Sequence, residues 1–320
     1  MISKRHIRTI VTTVIVVALV AGGTLIFRGT DFSFLRRLTA RSLMYIVPLF
    51  LLYQAAAVAA HSILLRTMGH PVSIPQLTVI LFASYASNLA GLAKVGVPVR
   101  IYLLRQMSRV PVAIGTSASA VLYFVELAIT IIIALVGFSY FVPETTARNT
   151  AWLVILILLV VALAAFFHLR RPRETRLKGA GRRIADFLVQ VQDGMRKTTV
   201  ATFAGLVSLA LGKRVTLAVT SYIILKELGT YLPLKGLIFL QSSAILVGFI
   251  SMVPFGLGTR DVTTFLLYER LGMRPEVSAA MTAIERTIWT LVPFCFGVIS
   301  AALIGASRRF SSQPEGGQLP

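Results

Sequence analysis

The chain has 320 residues, of which 56% are hydrophobic and 14% are charged, and its mean hydropathy is +0.80. A soluble domain of this length carries roughly 25% charged residues, so the composition excludes an ordinary soluble protein and indicates lipid as the solvent. The formal net charge of +20 does not indicate nucleic-acid binding, because the basic residues lie in short segments between apolar runs, where the positive-inside rule places them.

The apolar runs predict an all-α, polytopic integral membrane protein. The first run, Ile10–Phe27, follows Lys4 and Arg5 like a signal peptide, but it is longer than a usual signal-peptide core, so we expect a retained helix. Other runs long enough to cross a core about 30 Å thick are Leu43–Leu65, Val112–Val142, Ala151–Leu169, Val200–Leu225 and Ala279–Gly305. With Pro75–Ala93 and Leu234–Val253, the sequence contains about eight hydrophobic segments.

Basic residues set the expected orientation in the cell inner membrane. Residues 170–198 contain nine Lys or Arg side chains and three acids, which predicts a cytoplasmic loop, and both termini are expected on the same side. This arrangement requires Pro75–Ala93 and Leu234–Val253 to enter the membrane and return. It leaves the basic segment Arg28–Arg41 outside, as an exception to the rule.

Inside this loop, apolar residues recur at steps of three and four from Ile184 to Met195. The spacing predicts a short amphipathic helix. Two placements fit it: the surface of the anionic inner leaflet, or the ends of the helix bundle.

The two returning segments resemble each other. Each leads to a break rich in Gly and Pro, then to a helix with Arg100 or Arg260, then to a long apolar helix with one acid, Glu126 or Glu285. The predicted break residues are Gly96, Pro98, Pro254, Gly256 and Gly258. The copies lie about 160 residues apart, which predicts two repeat halves at about 1–170 and 199–309.

Broken helices in corresponding halves indicate a transporter-like site, because backbone freed inside a membrane must be buried in protein or line a polar cavity. The alternative is a pair of ordinary interhelical loops in which Gly and Pro coincide.

Charged residues inside apolar runs supply the candidate site. Each costs a few kcal/mol at the bilayer centre unless it is paired or hydrated. The candidates are Arg100, Glu126, Lys213, Arg214, Arg260, Asp261, Glu285 and Arg286. We expect the three acids to face the cations and to line a polar path for a lipid headgroup, with Arg100 or Arg260 on a phosphate. The alternative is a set of buried ion pairs that hold helices in register.

The sequence offers little for catalysis. Cys295 is the single cysteine, and the four histidines lie at or near segment ends without metal-ligand spacing, so they are interpreted as interfacial residues. We also find no nucleotide-binding loop and no plausible Ser/His/Asp set. We therefore expect no metal, no cofactor and no enzyme activity.

Two stretches resemble the flippase-like transmembrane domain of lysylphosphatidylglycerol synthetases, also called multiple peptide resistance factors. Val253–Asp261, followed by Ala283–Arg286, is similar to the Pro-x-Gly-x-Gly-x-Arg-Glu segment of that family and the Arg-bearing helix after it. Lys94–Leu104, with Glu126, is similar to the family's first Gly/Arg segment and its acidic helix.

The chain departs from the family pattern in three ways. Asp261 stands where the family usually has Glu, and Leu127 stands where members often carry Arg. No soluble aminoacyltransferase domain follows the membrane part, which argues against lysyl-lipid synthesis. The resemblance, which covers nearly the whole chain, implies one flippase-like domain over 1–309 and a disordered tail over 310–320.

The resulting expectation is a flippase or transporter for a phospholipid or an isoprenoid-linked lipid, with anionic membrane lipids as partners and no nucleic acid. A non-catalytic scaffold or accessory subunit for an envelope glycosyltransferase or lipid-synthesis enzyme is the alternative, with that envelope-biosynthesis enzyme as partner. The oligomeric state stays open.

Overall fold

The computed structural model describes residues 40–88, 95–141, 180–251 and 256–311, with four isolated positions between 150 and 157. The regular elements in these ranges are all helical, which confirms the predicted fold class. The predicted span Ile10–Phe27, nearly all of Ala151–Leu169, the break residue Pro254 and residues 312–320 of the predicted tail lie outside the described residues.

Ten α-helices occupy the described ranges. They are α1 (Ala40–Thr67), α2 (Ile74–Ser87), α3 (Gly96–Ser108), α4 (Val112–Phe141), α5 (Ala180–Arg196), α6 (Val200–Glu227), α7 (Leu234–Ile250), α8 (Thr259–Arg270), α9 (Pro275–Arg286) and α10 (Val292–Ser311). A π-helical turn, Thr287–Leu291, joins α9 to α10.

Four continuous helical stretches are long and apolar enough to cross a membrane. They are Ser42–Thr67, Val112–Gly137, Val200–Glu227 and Pro275–Gly305, while α2 and α7 are shorter apolar helices. Large apolar side chains are exposed on their outer faces, among them Met44, Val136 and Leu303. Such an exposed apolar surface would be unfavourable in water and is expected where lipid surrounds the protein.

The helix ends reveal the repeat. Gly69 follows α1 with a φ of 85°, and Gly229 follows α6 with a φ of 73°, so each glycine adopts the left-handed conformation that closes a helix. The residue after each glycine donates its N–H to the carbonyl five positions earlier, at 2.9 Å for His70 and 3.0 Å for Thr230. The two caps are equivalent, and they lie 160 residues apart (229 − 69).

The two halves are inverted relative to each other. α1 packs along α6. Thr67 Oγ1 at the end of α1 lies 3.2 Å from Thr202 Oγ1 at the start of α6, while Ile46 near the start of α1 belongs to the same core cluster as Leu225 near the end of α6. The helices therefore run antiparallel, and the order α1 to α4 recurs with opposite direction in α6 to α10.

α2 and α3 form a hairpin whose two ends lie on the same side of the bundle. Gln76 at the start of α2 donates its side-chain amide to the Met107 carbonyl at the end of α3, at 2.7 Å. In the second half, Leu237 near the start of α7 and Tyr268 near the end of α8 share one core cluster. Both hairpins therefore begin and end on one side of the bundle, which confirms the two predicted re-entrant segments.

Side chains close the tips of both hairpins. Asn88 Oδ1 accepts the Gly96 N–H at 2.7 Å, and Thr259 Oγ1 donates to Ser251 Oγ at 2.9 Å. The predicted position of the first break was partly wrong, because Gly96 begins α3 and Pro98 lies in its first turn, where the missing proline N–H breaks no helical bond. A Cβ at Gly96 would lie 2.6 Å from Asn88 Oδ1, so only glycine fits there.

The second break is as predicted where it is described. Gly256 and Gly258 have φ values of 63° and 77°, and Gly258 caps the start of α8. These conformations are available to glycine at little cost and give the chain its sharp return.

The amphipathic helix forms as α5, which confirms that element. Val191 and Met195 in its C-terminal half are buried, and Ser117 of α4 donates its hydroxyl to the Val191 carbonyl at 2.8 Å. Phe187 and Leu188 in its N-terminal half are exposed. The C-terminal half of α5 therefore packs on the end of the bundle, which is one of the two predicted placements.

α5 defines one side of the bundle, which we call the α5 side. The ends of α1 and α3, the starts of α2, α4 and α6, and Ile304 of α10 lie in the core cluster that also contains Val191 and Met195. The start of α1, at Ile46, lies with the opposite cluster. The described part of α10 therefore runs toward the α5 side.

Candidate functional site

A group of charged side chains lies between α1, α3, α4 and α6. We call it the central cluster, and its members are His61, Arg100, Glu126, Lys213 and Arg214. Glu126 of α4 receives both cations of α6: Arg214 Nη2 lies 2.8 Å from Glu126 Oε2, and Lys213 Nζ binds Oε1. The structure thus brings together three of the residues that the sequence singled out.

Thr130 extends this pairing by one turn of α4. Its hydroxyl accepts a hydrogen bond from Arg214 Nη2 at 2.8 Å and donates to the Glu126 carbonyl at 2.6 Å. The Arg214 side chain is 4% exposed, and the Glu126 side chain is 20% exposed. Arg214 is therefore buried within protein, whereas the Glu126 carboxylate remains partly exposed.

Arg100 binds His61, a pairing that the sequence did not predict. Arg100 is buried, and its Nη1 contacts His61 Nε2. His61 Nδ1 lies 2.8 Å from the Ala57 carbonyl, which can only accept, so Nδ1 carries the proton and Nε2 is the acceptor for the guanidinium. The interpretation of His61 as an interfacial residue did not include this contact with Arg100.

Aromatic rings border the cluster. Lys213 Nζ lies 5.5 Å from the centroid of the Tyr53 ring, within the range of a cation–π contact. The same ring packs 4.8 Å, centroid to centroid, from Trp289 of the π-helical turn. Tyr85 of α2 also lies within electrostatic range of Tyr53, Arg100 and Glu126. The rings give the cluster an amphipathic wall.

The central cluster carries more positive than negative charge. Arg100, Lys213 and Arg214 supply three cations and Glu126 one anion, an excess of two (3 − 1), because His61 accepts as a neutral ring. The buried Nε atoms of Arg100 and Arg214 have no hydrogen-bond partner in the described part of the chain. Buried charged donors without acceptors are costly, so the cluster has the charge and the donors to hold an anion.

Glu285 lies in a second group, which we call the Glu285 cluster together with Ser221, Gln241 and Tyr268. Ser221 Oγ and Tyr268 OH each donate to Glu285 Oε1 at 2.6 Å, and Gln241 Nε2 donates to Ser221 Oγ at 3.1 Å. Among the described residues no cation forms a salt bridge with Glu285, which is 4% exposed. Among the described residues the expected base makes no direct contact with this acid: hydroxyl groups surround it, and Arg260 acts on it only at longer range.

Asp261 and Arg286 hold the second hairpin to the α9 helix. Asp261 Oδ2 accepts the Gly258 N–H at 3.0 Å and caps α8, while Arg286 Nη2 lies 3.4 Å from the same oxygen. The Arg260 side chain lies against Gly248, with Cγ and Cδ within 4 Å of the Cβ position there. Arg260 therefore packs across its own hairpin and is not part of the central cluster.

The structure thus separates the eight predicted residues into two groups. The central cluster contains four of them, and the four others lie around α8 and α9. His61, Tyr53, Ser221 and Tyr268 were missed. Hydroxyls and histidine are common at membrane interfaces, so only the register between helices could have indicated their roles. No group of three metal-ligating side chains lies within the described ranges.

The sequence matches the family model described as Lysylphosphatidylglycerol synthase TM region over residues 9–297. It is also similar to two proteins of Methanothermobacter thermautotrophicus (strain Delta H), each described as a UPF0104 membrane protein. The first is 23% identical over 277 residues, which covers 76% of this chain and 78% of the relative. The second is 34% identical over 86 residues, which is 27% of this chain and 25% of the relative.

Proposed function

The chain belongs to the lysylphosphatidylglycerol synthase TM region family, and from this membership we propose that it moves lipids across the cell inner membrane without enzyme activity of its own. The cargo is an anionic lipid, either a phospholipid or an isoprenoid-linked lipid. In this proposal the α5 side faces the cytoplasm, because the exposed residues Arg182, Arg183, Arg196 and Lys197 lie there.

The observation that carries the proposal is the positive excess of the central cluster. An arginine or lysine at the middle of a membrane is costly unless it has a partner. Among the described residues the three cations of the cluster share one carboxylate, that of Glu126. A phosphate has oxygen acceptors for the free Nε donors of Arg100 and Arg214 and a charge that offsets the excess. We assign the phosphate of the lipid headgroup to this position.

The inverted repeat supports movement of the lipid past this position. In transporters with inverted repeats, broken helices meet near the midplane, and one half rocks against the other around a fixed site. Here Arg100 lies in the first turns of α3, just after the tip of the first hairpin, while Lys213 and Arg214 lie near the middle of α6. Acyl chains would remain in the bilayer, against the exposed apolar faces.

Reconstituted vesicles test the proposal. Purified protein is placed in vesicles with a fluorescent phosphatidylglycerol analogue, and a membrane-impermeant reductant bleaches the outer leaflet. We expect the protein to accelerate loss of the inner-leaflet signal, and to act more weakly on a phosphatidylcholine analogue. An isoprenoid-linked diphosphate lipid is tested as the third possible cargo in the same assay.

Matched variants connect the activity to the cluster. Arg100→Gln and Arg214→Gln should each slow exchange about tenfold or more, because a charge-assisted hydrogen bond contributes about 1.5–3 kcal/mol. Arg274→Gln is the control, since that side chain is 80% exposed and pairs with exposed Glu276. If folded wild-type protein accelerates exchange of none of the three lipids, the transport proposal is wrong, and co-purification of an envelope enzyme would then favour the scaffold alternative.

A further inference from the structure

The Glu285 cluster has a composition unlike that of the central cluster. Its carboxylate is buried, and two hydroxyl donors converge on a single oxygen, Oε1, at 2.6 Å each. The three supporting side chains come from different elements: Ser221 from α6, Gln241 from α7 and Tyr268 from α8. A fully ionised carboxylate is expected to attract a cation in such a place, and none of the described side chains supplies one by direct contact.

The nearby charges are already engaged or lie farther away. Arg286, the next residue of α9, pairs with Asp261. Arg260 of α8 acts on Glu285 only through longer-range electrostatics, and α6 and α7 face it with Ser221 and Gln241. The cations of α6, Lys213 and Arg214, bind Glu126. Tyr268 is the one titratable side chain that touches Glu285 among the described residues.

An acceptor beside the acid also lacks a donor. Gln241 Oε1 is fully buried, and it has no hydrogen-bond partner in the described part of the chain. Buried amide oxygens are normally satisfied, and none of the described residues supplies a donor to this one. A proton on the Glu285 carboxyl removes the buried charge and adds one donor to this set.

Glu285 also lies where α9 meets both the π-helical turn and the second hairpin. It precedes the π-helical turn Thr287–Leu291, and such turns are points at which a helix bends and are frequent at functional sites. Through Tyr268, the acid connects α9 directly to the second hairpin, formed by α7 and α8. Loss of the proton would leave a buried charge at this joint and favour a hairpin position in which the acid reaches water.

We propose that Glu285 is a proton-binding site whose occupancy holds the second hairpin against α9, so that a proton gradient drives lipid movement. The proton binds to a carboxylate oxygen from one side of the membrane and leaves to the other, with no covalent change. The coupling step rests on the proposed transport function, whereas the proton site itself does not.

Infrared difference spectroscopy tests the site independently of transport. Spectra of purified wild-type protein in lipid are compared with those of Glu285→Gln at neutral pH. We expect the carbonyl stretch of a protonated carboxylic acid in the wild type and its absence in the variant. Glu276→Gln is the matched control and should retain the band, because Glu276 is an exposed acid paired with exposed Arg274. A wild-type spectrum that lacks this band at neutral pH overturns the proposal.

Tyr268→Phe keeps the test decisive if Glu285→Gln does not fold. This variant removes one of the two hydroxyl donors on Oε1, so the same carbonyl band should persist at a shifted frequency. An unshifted band would show that another acid carries the proton and would overturn the assignment.

The coupling step is measured in the exchange assay with and without an imposed pH gradient. We expect the ratio of the two rates to differ from one by several-fold in the wild type and to approach one in Glu285→Gln. A wild-type ratio of one overturns the coupling while leaving the transport function intact. Absence of exchange in every wild-type condition instead defeats the transport function, and the infrared result then stands alone.

Discussion

Lys213 lies over the ring of Tyr53, with Nζ 5.5 Å from the ring centroid, and the two residues are equivalent positions of the two halves. The helix caps at Gly69 and Gly229 fix the register of α1 against α6 at 160 residues, and 213 − 53 gives the same number. A residue can contact its own equivalent only at the axis that relates the two halves. The central cluster therefore lies on the pseudo-two-fold axis.

This position also explains why the halves differ in chemistry there. An exact repeat would place two lysines or two tyrosines against each other at the axis. Like charges at that distance repel inside a membrane, whereas a ring under an ammonium attracts it. Because the two copies have diverged, the residues on the axis can carry a net positive charge, which a site for an anionic headgroup needs.

The pairing of Glu126 with both cations of α6 leads to the first prediction. Glu126→Gln leaves Lys213 and Arg214 without their carboxylate, and breaking a buried pair costs about 3–5 kcal/mol. We expect a lower apparent unfolding temperature in detergent, followed by tryptophan fluorescence. The double variant Glu126→Gln, Lys213→Met should recover part of the loss, because it removes one of the uncompensated charges.

Glu276→Gln is the control for this prediction. Its partner Arg274 is 80% exposed, and exposed ion pairs contribute about 0–1 kcal/mol. The control should therefore leave the unfolding temperature almost unchanged. Equal losses for Glu126→Gln and Glu276→Gln would contradict the assignment of Glu126 as the counter-charge of the core.

The second prediction concerns the histidine that was missed. His61→Phe removes the acceptor from buried Arg100 and should destabilise the protein by about 2 kcal/mol or more, since an unsatisfied charged donor is costly. His61→Gln, which offers a carbonyl oxygen, should be milder. Unfolding temperatures of the two variants, with His70→Phe as a loop control, make the comparison. A smaller effect for Phe than for Gln would contradict the bond.

How far the sequence could predict this site follows from these residues. Glu126, Lys213 and Arg214 were predictable, because charges within apolar runs are rare and must find each other. The re-entrant hairpins were predictable too, because most of the basic segments fall on one side only if Pro75–Ala93 and Leu234–Val253 enter and return, with Arg28–Arg41 as the exception. The bond between Arg100 and His61 was not, since it joins α3 to α1 across 39 residues and depends on how the helices rotate. The hydroxyl surroundings of Glu285 were hidden for the same reason.

The third prediction uses two glycines that are equivalent in the repeat, Gly137 and Gly297. A Cβ at Gly297 would lie 2.9 Å from the Ala86 backbone nitrogen of α2, and one at Gly137 would collide with the Phe239 ring of α7. Each glycine lets the long helix of one half approach the re-entrant helix of the other. Gly297→Ala and Gly137→Ala should therefore lower the unfolding temperature, and Gly297→Ala should cost more because backbone cannot move aside easily.

Gly205 and Gly212 of α6 provide the matched comparison. Both are helical, and a Cβ at either position meets nothing within 4 Å. Alanine there should stabilise by about 0.5–1 kcal/mol through helix propensity. The same substitution therefore has opposite predicted signs at the two kinds of site. Stabilisation by Gly297→Ala would show that α2 and α10 do not pack closely.

The last prediction tests the inverted topology directly. In a Cys295→Ser background, single cysteines replace exposed residues near helix ends: Gln106 and Lys197 on the α5 side, and Tyr231 and Arg274 on the opposite side. A membrane-impermeant maleimide added to sealed, uniformly oriented vesicles should label one pair and spare the other, with the pattern reversed when the reagent is inside. If α2 and α3 together crossed the membrane, Gln106→Cys would label with Tyr231→Cys. The shared core cluster of α3 and α5 makes that outcome incompatible with the fold, because residues on one packed layer cannot face opposite solutions.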